Sequence, residues 1–151
     1  KRNIIMRADD FMTIDKEVYS CPTATQNIAV NTKNRDAAVK NYNYGPLNVD
    51  IPGDYFKKVA DHWDTSEEAA KGSLCANCVA FDISDHMDDC MPGRTSAEAN
   101  AEISQGILGY CWMHHFKCHS ERTCHTWAKG GPIVDNRISK DWATRHKEHI
   151  E

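Results

Sequence analysis

The stretch GYCWMHHFKCHSERTCHTWAKGG, residues 109–131, decides how this chain must be read. It holds three cysteines, four histidines and two tryptophans. Sulfur at this density closes disulfides, holds a metal ion or grips an inorganic cluster, and each choice needs different partners. The partners begin upstream, at Cys75-Ala76-Asn77-Cys78. A tight turn at C-x-x-C puts both sulfurs on one side, within reach of one centre. Of seven cysteines, six fall between residues 75 and 124, and Cys21 stands alone before them. An odd total argues against a framework made only of disulfides. Cys21, followed by Pro22, reads as a free or packed thiol.

The remainder of the chain is modest. With 151 residues and 40% hydrophobic composition, it suits one domain with a small core and an appended arm. Clustered cysteines in such a chain predict that something covalent or metallic supports the fold. A net charge of −4 argues against general nucleic-acid binding, which needs a basic surface. No apolar run reaches membrane-spanning length, and no hydrophobic segment follows the basic start KRNIIMRADDFM.

Residues 1–50 read as an extended N-terminal arm, with short strands at Ile4–Met6 and Ile28–Val30 and a short helix over Asn34–Asn41. From Pro52 the pattern turns helical. Asp54 is placed to cap YFKKVADHW, with Phe56, Val59, Ala60 and Trp63 on one face. Thr65 and Glu68 have the spacing of a capping box, and the helix Ser66–Lys71 ends at Gly72. Residues 91–108 are polar and read as a loop. Gly130-Gly131-Pro132 breaks the chain, and Ser139–Ile150 forms a terminal helix within a tail over 135–151. That helix carries Ile138, Trp142, Ala143, His146 and Ile150 near one side.

Three chemistries use a C-x-x-C pair. A thioredoxin-type redox pair expects a βαβ setting, which is not seen here. A structural zinc site expects a second such pair, or closely spaced cysteine and histidine. Cys118 follows Cys111 by seven positions and Cys124 follows Cys118 by six, which is no zinc ribbon. His114, His115, His119 and His125 keep a Cys/His zinc module open. A cubane iron–sulfur cluster needs four thiolates and gains from an apolar wall that excludes water. Val79, Ala80, Phe81, Tyr110, Trp112, Phe116 and Trp127 beside the cysteines fit that need.

At these residues the chain resembles the high-potential iron–sulfur proteins, which bind one 4Fe–4S cluster. In that family a C-x-x-C is followed, after a variable loop, by a third cysteine. A fourth follows about thirteen positions later, in a C-x-x-W context near a glycine-bearing end. CANCVAF supplies Cys75 and Cys78, GYC supplies Cys111, and CHTWAKGG supplies Cys124 with Trp127. The likeness covers roughly residues 63–131, with a longer loop between Cys78 and Cys111 than in the small members. It implies metal ligation by Cys75, Cys78, Cys111 and Cys124, and a cluster cage of Phe81, Tyr110, Trp112 and Trp127. Cys90, before a Pro-Gly turn in DDCMPG, also suits the third position, with Cys111 then the fourth. In the first scheme Cys90 and Cys118 are left to form a disulfide or to stay as thiols beside the cluster.

The implied fold is a small irregular α+β domain over residues 51–134, with short helices and turns wrapped around the cluster. A second resemblance runs through YSCPTATQNIAVNTKNRDAAV, YGPLNVDIPGDYFKKVADHW and GYCWMHHFKCHSERTCHTWAKGGPI. These stretches look like small proteins of this type encoded by tailed phages of aquatic bacteria. That likeness implies a virion component, in contact with other virion proteins or copies of itself, in which the cluster cross-links the fold. The alternatives are a soluble one-electron carrier in a bacterial cytoplasm or periplasm, and the zinc module. No enzyme is expected, since paired acids such as Asp9-Asp10, Glu67-Glu68 and Asp88-Asp89 read as solvated faces.

Overall fold

A computed structural model describes residues 20–91 and 106–150. Among these, six α-helices surround one three-stranded antiparallel sheet. The helices are α1 (Thr23–Gln26), α2 (Ile28–Tyr42), α3 (Tyr55–Trp63), α4 (Glu67–Lys71), α5 (Asp85–Cys90) and α6 (Asn136–Arg145). The strands are β1 (Phe81–Asp82), β2 (Leu108–Cys111) and β3 (Phe116–His119), in the order β1-β2-β3. Short 3-10 turns cover Cys75–Asn77 and Lys147–His149. This is a small mixed α+β fold, as the sequence predicts.

Register decides what each face of the sheet carries. Phe81 stands opposite Cys111, Cys111 opposite Phe116, and Gly109 opposite Cys118. Directly opposed residues share a face, and strand side chains alternate with period two. Phe81, Cys111, Phe116 and Cys118 therefore lie on one face, while Asp82, Tyr110 and Lys117 lie on the other. Gly109 lets the first face close. A Cβ there would stand 2.6 Å from Phe81 Cε1, so only glycine leaves room for the ring across the strand.

On the opposite face Asp82, fully buried, accepts three hydrogen bonds. They come from Ser84 N (2.9 Å), Trp112 Nε1 (2.9 Å) and Ser139 Oγ (2.5 Å). Ser139 and the buried Ala143 belong to α6, so this carboxylate fastens the tail helix to the sheet. The helix begins at Asn136, three residues before the expected start, because the Asp135 side chain caps it by accepting from Arg137 N (2.8 Å). It stops at Arg145 rather than running to Ile150.

The N-terminal region departs from expectation. Residues 20–50 hold two helices rather than an extended arm, and Ile28–Val30 opens α2 instead of forming a strand. The Asn27 side chain accepts from Val30 N, and this cap outweighs the strand preference of Ile28 and Val30. Helix α2 lies along β3. Asn31 Oδ1 accepts from Lys117 N (2.7 Å), and Asn34 Nδ2 donates to His115 O (2.7 Å). Side-chain amides thus occupy backbone groups that an edge strand leaves unpaired. The proposed strand at Ile4–Met6 and most of the 91–108 loop lie outside the described residues.

Helices α3 and α4 form as the pattern predicts, with small differences at their starts. Asp54 makes no capping hydrogen bond and instead pairs with Lys58 at 3.5 Å. Ser66, not Thr65, caps α4, accepting from Ala69 N at 3.0 Å. Phe56, Val59, Ala60 and Ala70 bury together as a satellite core beside Trp63 and Leu74. Both helices thereby brace the chain just before Cys75.

Candidate metal centre

Cys75 and Cys78 sit on a 3-10 turn whose N–H groups are tied to the second cysteine-bearing segment. Cys75 N donates to Arg122 O (2.7 Å), Ala76 N to Ser120 O (2.9 Å) and Val79 N to Ala128 O (2.8 Å). Trp127 Nε1 returns from that segment to Leu74 O (2.8 Å) and Asn77 Oδ1 (2.9 Å). Gly131 packs so closely on the turn that a Cβ there would fall 1.7 Å from Cys78 O. No residue with a side chain fits that contact, which explains the glycine at the end of the motif.

These ties bring Cys75, Cys78, Cys111, Cys118 and Cys124 to the wall of one small cavity. Phe81, Met113, Thr123 and Trp127 complete the wall. All five cysteines are buried, and all five are free thiols. Four lie at 7–8% exposure, and Cys118 at 2%.

The sulfurs receive hydrogen bonds from the backbone. Met113 and His114 N–H groups point to Cys111, those of Ala80 and Ala128 to Cys78, and that of Thr126 to Cys124. The Thr126 hydroxyl lies 3.2 Å from Cys124 Sγ. Such bonds stabilise thiolates and tune a metal's ligands. Burial works the other way. It pushes the Cys78 thiol up and the Cys124 thiol up to about 12. Cys118 is raised well above its ordinary value, first by burial and then by its hydrogen bonds to Cys111 and Cys75. Cys111 is lowered, chiefly by the hydrogen bond from Cys118. A bound cation reverses the cost of burial, because coordination deprotonates a thiol outright.

Comparison with family models, characterised proteins and solved structures gives no match. The reading of this site therefore stands on its donor set and its geometry.

The donors are of the type a cluster takes, buried thiols beside an apolar wall. Thr123 Oγ1 lines the cavity, is fully buried, and has no hydrogen-bond partner among the described residues. A buried hydroxyl left this way costs free energy unless a bound group accepts from it. As the side chains stand, no group of three or more His, Cys, Asp or Glu among the described residues is placed to hold a metal ion.

The sequence-predicted residues divide. Cys75, Cys78, Cys111 and Cys124 converge, and Phe81 and Trp127 line the cavity with them. Tyr110 and Trp112, expected in the cage, do not line it. Tyr110 follows strand alternation onto the far face, where its hydroxyl meets His115 Nδ1 at 3.1 Å. Trp112 is held there by Asp82. Cys90 is not at the site, and it pairs with Cys21 rather than Cys118. Its disulfide removes both the reading of Cys21 as a free thiol and the scheme with Cys90 as third ligand. Neither cysteine gave a local signal, since they are 69 positions apart. None of the four histidines lines the cavity. His114 Nε2 bonds the Thr126 hydroxyl at 2.7 Å, and His125 stacks on His62 at 3.6 Å. His115 stacks on His149 at 3.5 Å, and His119 Nδ1 accepts from Glu121 N at 3.0 Å. Met113 and Thr123, missed as wall residues, carry no sequence signal beyond their nearness to Cys111 and Cys124.

Proposed function

We propose that this chain is an iron–sulfur protein that holds one 4Fe–4S cluster through Cys75, Cys78, Cys111 and Cys124, like the high-potential iron–sulfur proteins it resembles. The observation that carries the reading is the convergence of buried free thiols from separate segments on one cavity with an apolar aromatic wall. When bound, the cluster supplies a one-electron couple and four metal–sulfur bonds. The chain's own residues prepare the place. The Ala80, Met113, His114, Thr126 and Ala128 N–H groups offset negative charge on the sulfurs. Phe81 and Trp127 keep water away, and the Thr123 hydroxyl is an unused donor at the wall.

The role we assign first is structural. The 3-10 turn at 75–77, the end of β2 and the loop at 124 each bring a sulfur to the cavity, so metal bonds there would add folding free energy to the hydrogen bonds that already join the turn to residues 120–131. We read the protein as a phage virion component, in contact with other virion proteins or copies of itself. That placement rests on the sequence resemblance alone. No helix among the described residues is long and apolar enough to cross a membrane. One observation favours electron carriage as a second reading. Trp127 lines both the sulfur cavity and a surface groove with Gly72, Lys129 and Gly130, giving a short path from cluster to solvent.

Iron and zinc content per chain, measured on protein from its native source without reconstitution, tests the proposal. About four irons per chain support it. One zinc with no iron overturns it in favour of a zinc module, and neither metal overturns both.

A further inference from the structure

Thr123 is held in place by residues that neither the C-x-x-C turn nor the sheet supplies. Its side chain is fully buried and lines the sulfur cavity, and Oγ1 has no hydrogen-bond partner among the described residues. Valine has nearly the same shape and would fill the place with no polar atom to satisfy. Packing alone therefore does not account for a hydroxyl here. The main chain of Thr123 is fixed from the side of Gly45. Thr123 N donates to Gly45 O at 2.7 Å, and Gly45 N donates back to Thr123 O at 3.0 Å. The Tyr55 hydroxyl, carried by the first residue of α3, lies 3.0 Å from the same carbonyl and 2.6 Å from Asn43 O. Gly45 fits closely under that ring, since a Cβ there would stand 3.0 Å from Tyr55 Cε1. With both backbone groups of Thr123 engaged on this side, its side chain is left facing the cavity.

We propose that Gly45 and Tyr55 are positioning residues that hold Thr123 so that its hydroxyl donates to a sulfur of the filled site, and that this bond raises the site's reduction potential. The inference deepens the iron–sulfur reading and rests on it. Its direction follows from charge. Reduction adds one electron, shared between iron and sulfur, so a donor beside a sulfur favours the reduced state. No covalent bond changes, because the hydroxyl needs only to turn about its own C–O bond. The same hydrogen bond helps to retain the metal, as outer partners of ligands do. Tyr55 thereby links the start of α3 to the electronic character of a site it does not line.

The test uses the full chain, purified without oxygen and with its iron. Thr123→Val, Thr123→Ser and Tyr55→Phe are compared with the wild type by voltammetry, iron per chain and the rate of iron release to a chelator, with circular dichroism as the fold check. Thr123→Val is expected to keep its iron, to release it several-fold faster and to show a more negative potential. Thr123→Ser, which retains the hydroxyl, is expected to stay close to the wild type, and Tyr55→Phe to fall between the two. A Thr123→Val protein with the wild-type potential and release rate overturns the inference and leaves the iron–sulfur reading intact. That is the result for a hydroxyl bonded to a buried water. Tyr55→Phe at the wild-type potential overturns the positioning role. A wild-type protein without iron overturns the reading itself. Should Thr123→Val not fold, Thr123→Ser against Thr123→Ala carries the same comparison, because those two differ by the hydroxyl alone.

Discussion

The two faces of the small sheet are finished in different ways. On the far face the protein supplies the partners of Asp82, Trp112 and Tyr110. Asp82 takes three hydrogen bonds, Trp112 and Ser139 give two of them, and Tyr110 reaches His115. On the sulfur face, Cys111 and Cys118 join three further thiols around space, and Thr123 keeps a hydroxyl without a partner among the described residues. The first face is complete as polypeptide. The second becomes complete, on our reading, only with a group the polypeptide does not contain. On that reading, a hydrogen-bonded polar layer stands directly behind the sulfur site.

The largest effect that would sharpen this contrast is expected for Cys78→Ala. It should remove iron and leave a chain without a cooperative melt, as read by iron content and thermal circular dichroism. A cooperative, iron-free Cys78→Ala protein would show that the sulfur face needs no added group. Gly131→Ala comes next. Its Cβ would overlap Cys78 O at 1.7 Å, so the turn must move. A loss of about 3 kcal/mol or more is expected in denaturant unfolding, with reduced iron retention. Asp82→Asn probes the other face. It replaces an acceptor by a donor opposite Trp112 and Ser139, and should cost about 2 kcal/mol while leaving iron content unchanged. Iron loss in that variant would break the separation of the two faces.

The smallest effect concerns acid. His115 is held down to about 4 from 6.5, first by burial and then by His149 and His146, with Glu148 opposing. Its other facing group is the Tyr110 hydroxyl. A depressed folded value means that the stabilisation is complete above the unfolded pKa of about 6.5. It is lost as pH falls from there towards 4. Because the ring is partly screened by solvent, about 1–2 kcal/mol is expected, read as a lower urea midpoint at pH 5 than at pH 7. His115→Gln should flatten that difference.

Much of the site was legible because its signals are local. C-x-x-C is a turn by its spacing, and Trp127 and the glycines after Cys124 sit within a few residues of the sulfur they support. Helices α3 and α4 were legible for the same reason, through Phe56, Val59 and Ala60 at helical spacing and Gly72 at the stop. What sequence reading missed was set by distance or by register. Nothing near Cys21 points to Cys90, since the pairing is made by where α1 and α5 dock. Tyr110 and Trp112 look like cage residues by adjacency to Cys111, but strand alternation sends Tyr110 to the opposite face, and a buried carboxylate holds Trp112 there. Ile28–Val30 has strand-forming side chains, and one asparagine cap made it helical.

The Cys21–Cys90 disulfide has a further consequence. It converts residues 21–90 into a closed covalent ring that contains α1 to α5, β1 and both sulfurs of the C-x-x-C turn. The other half of the site, β2, β3 and the loop bearing Cys124, hangs from that ring as an open branch. A cut in the exposed stretch around Leu47 and Ile51, at 63% and 75% exposure, opens the ring but releases no fragment. A cut beyond residue 90 severs the branch. Half of the sulfur site therefore tolerates damage to its backbone, and the other half depends on an unbroken chain.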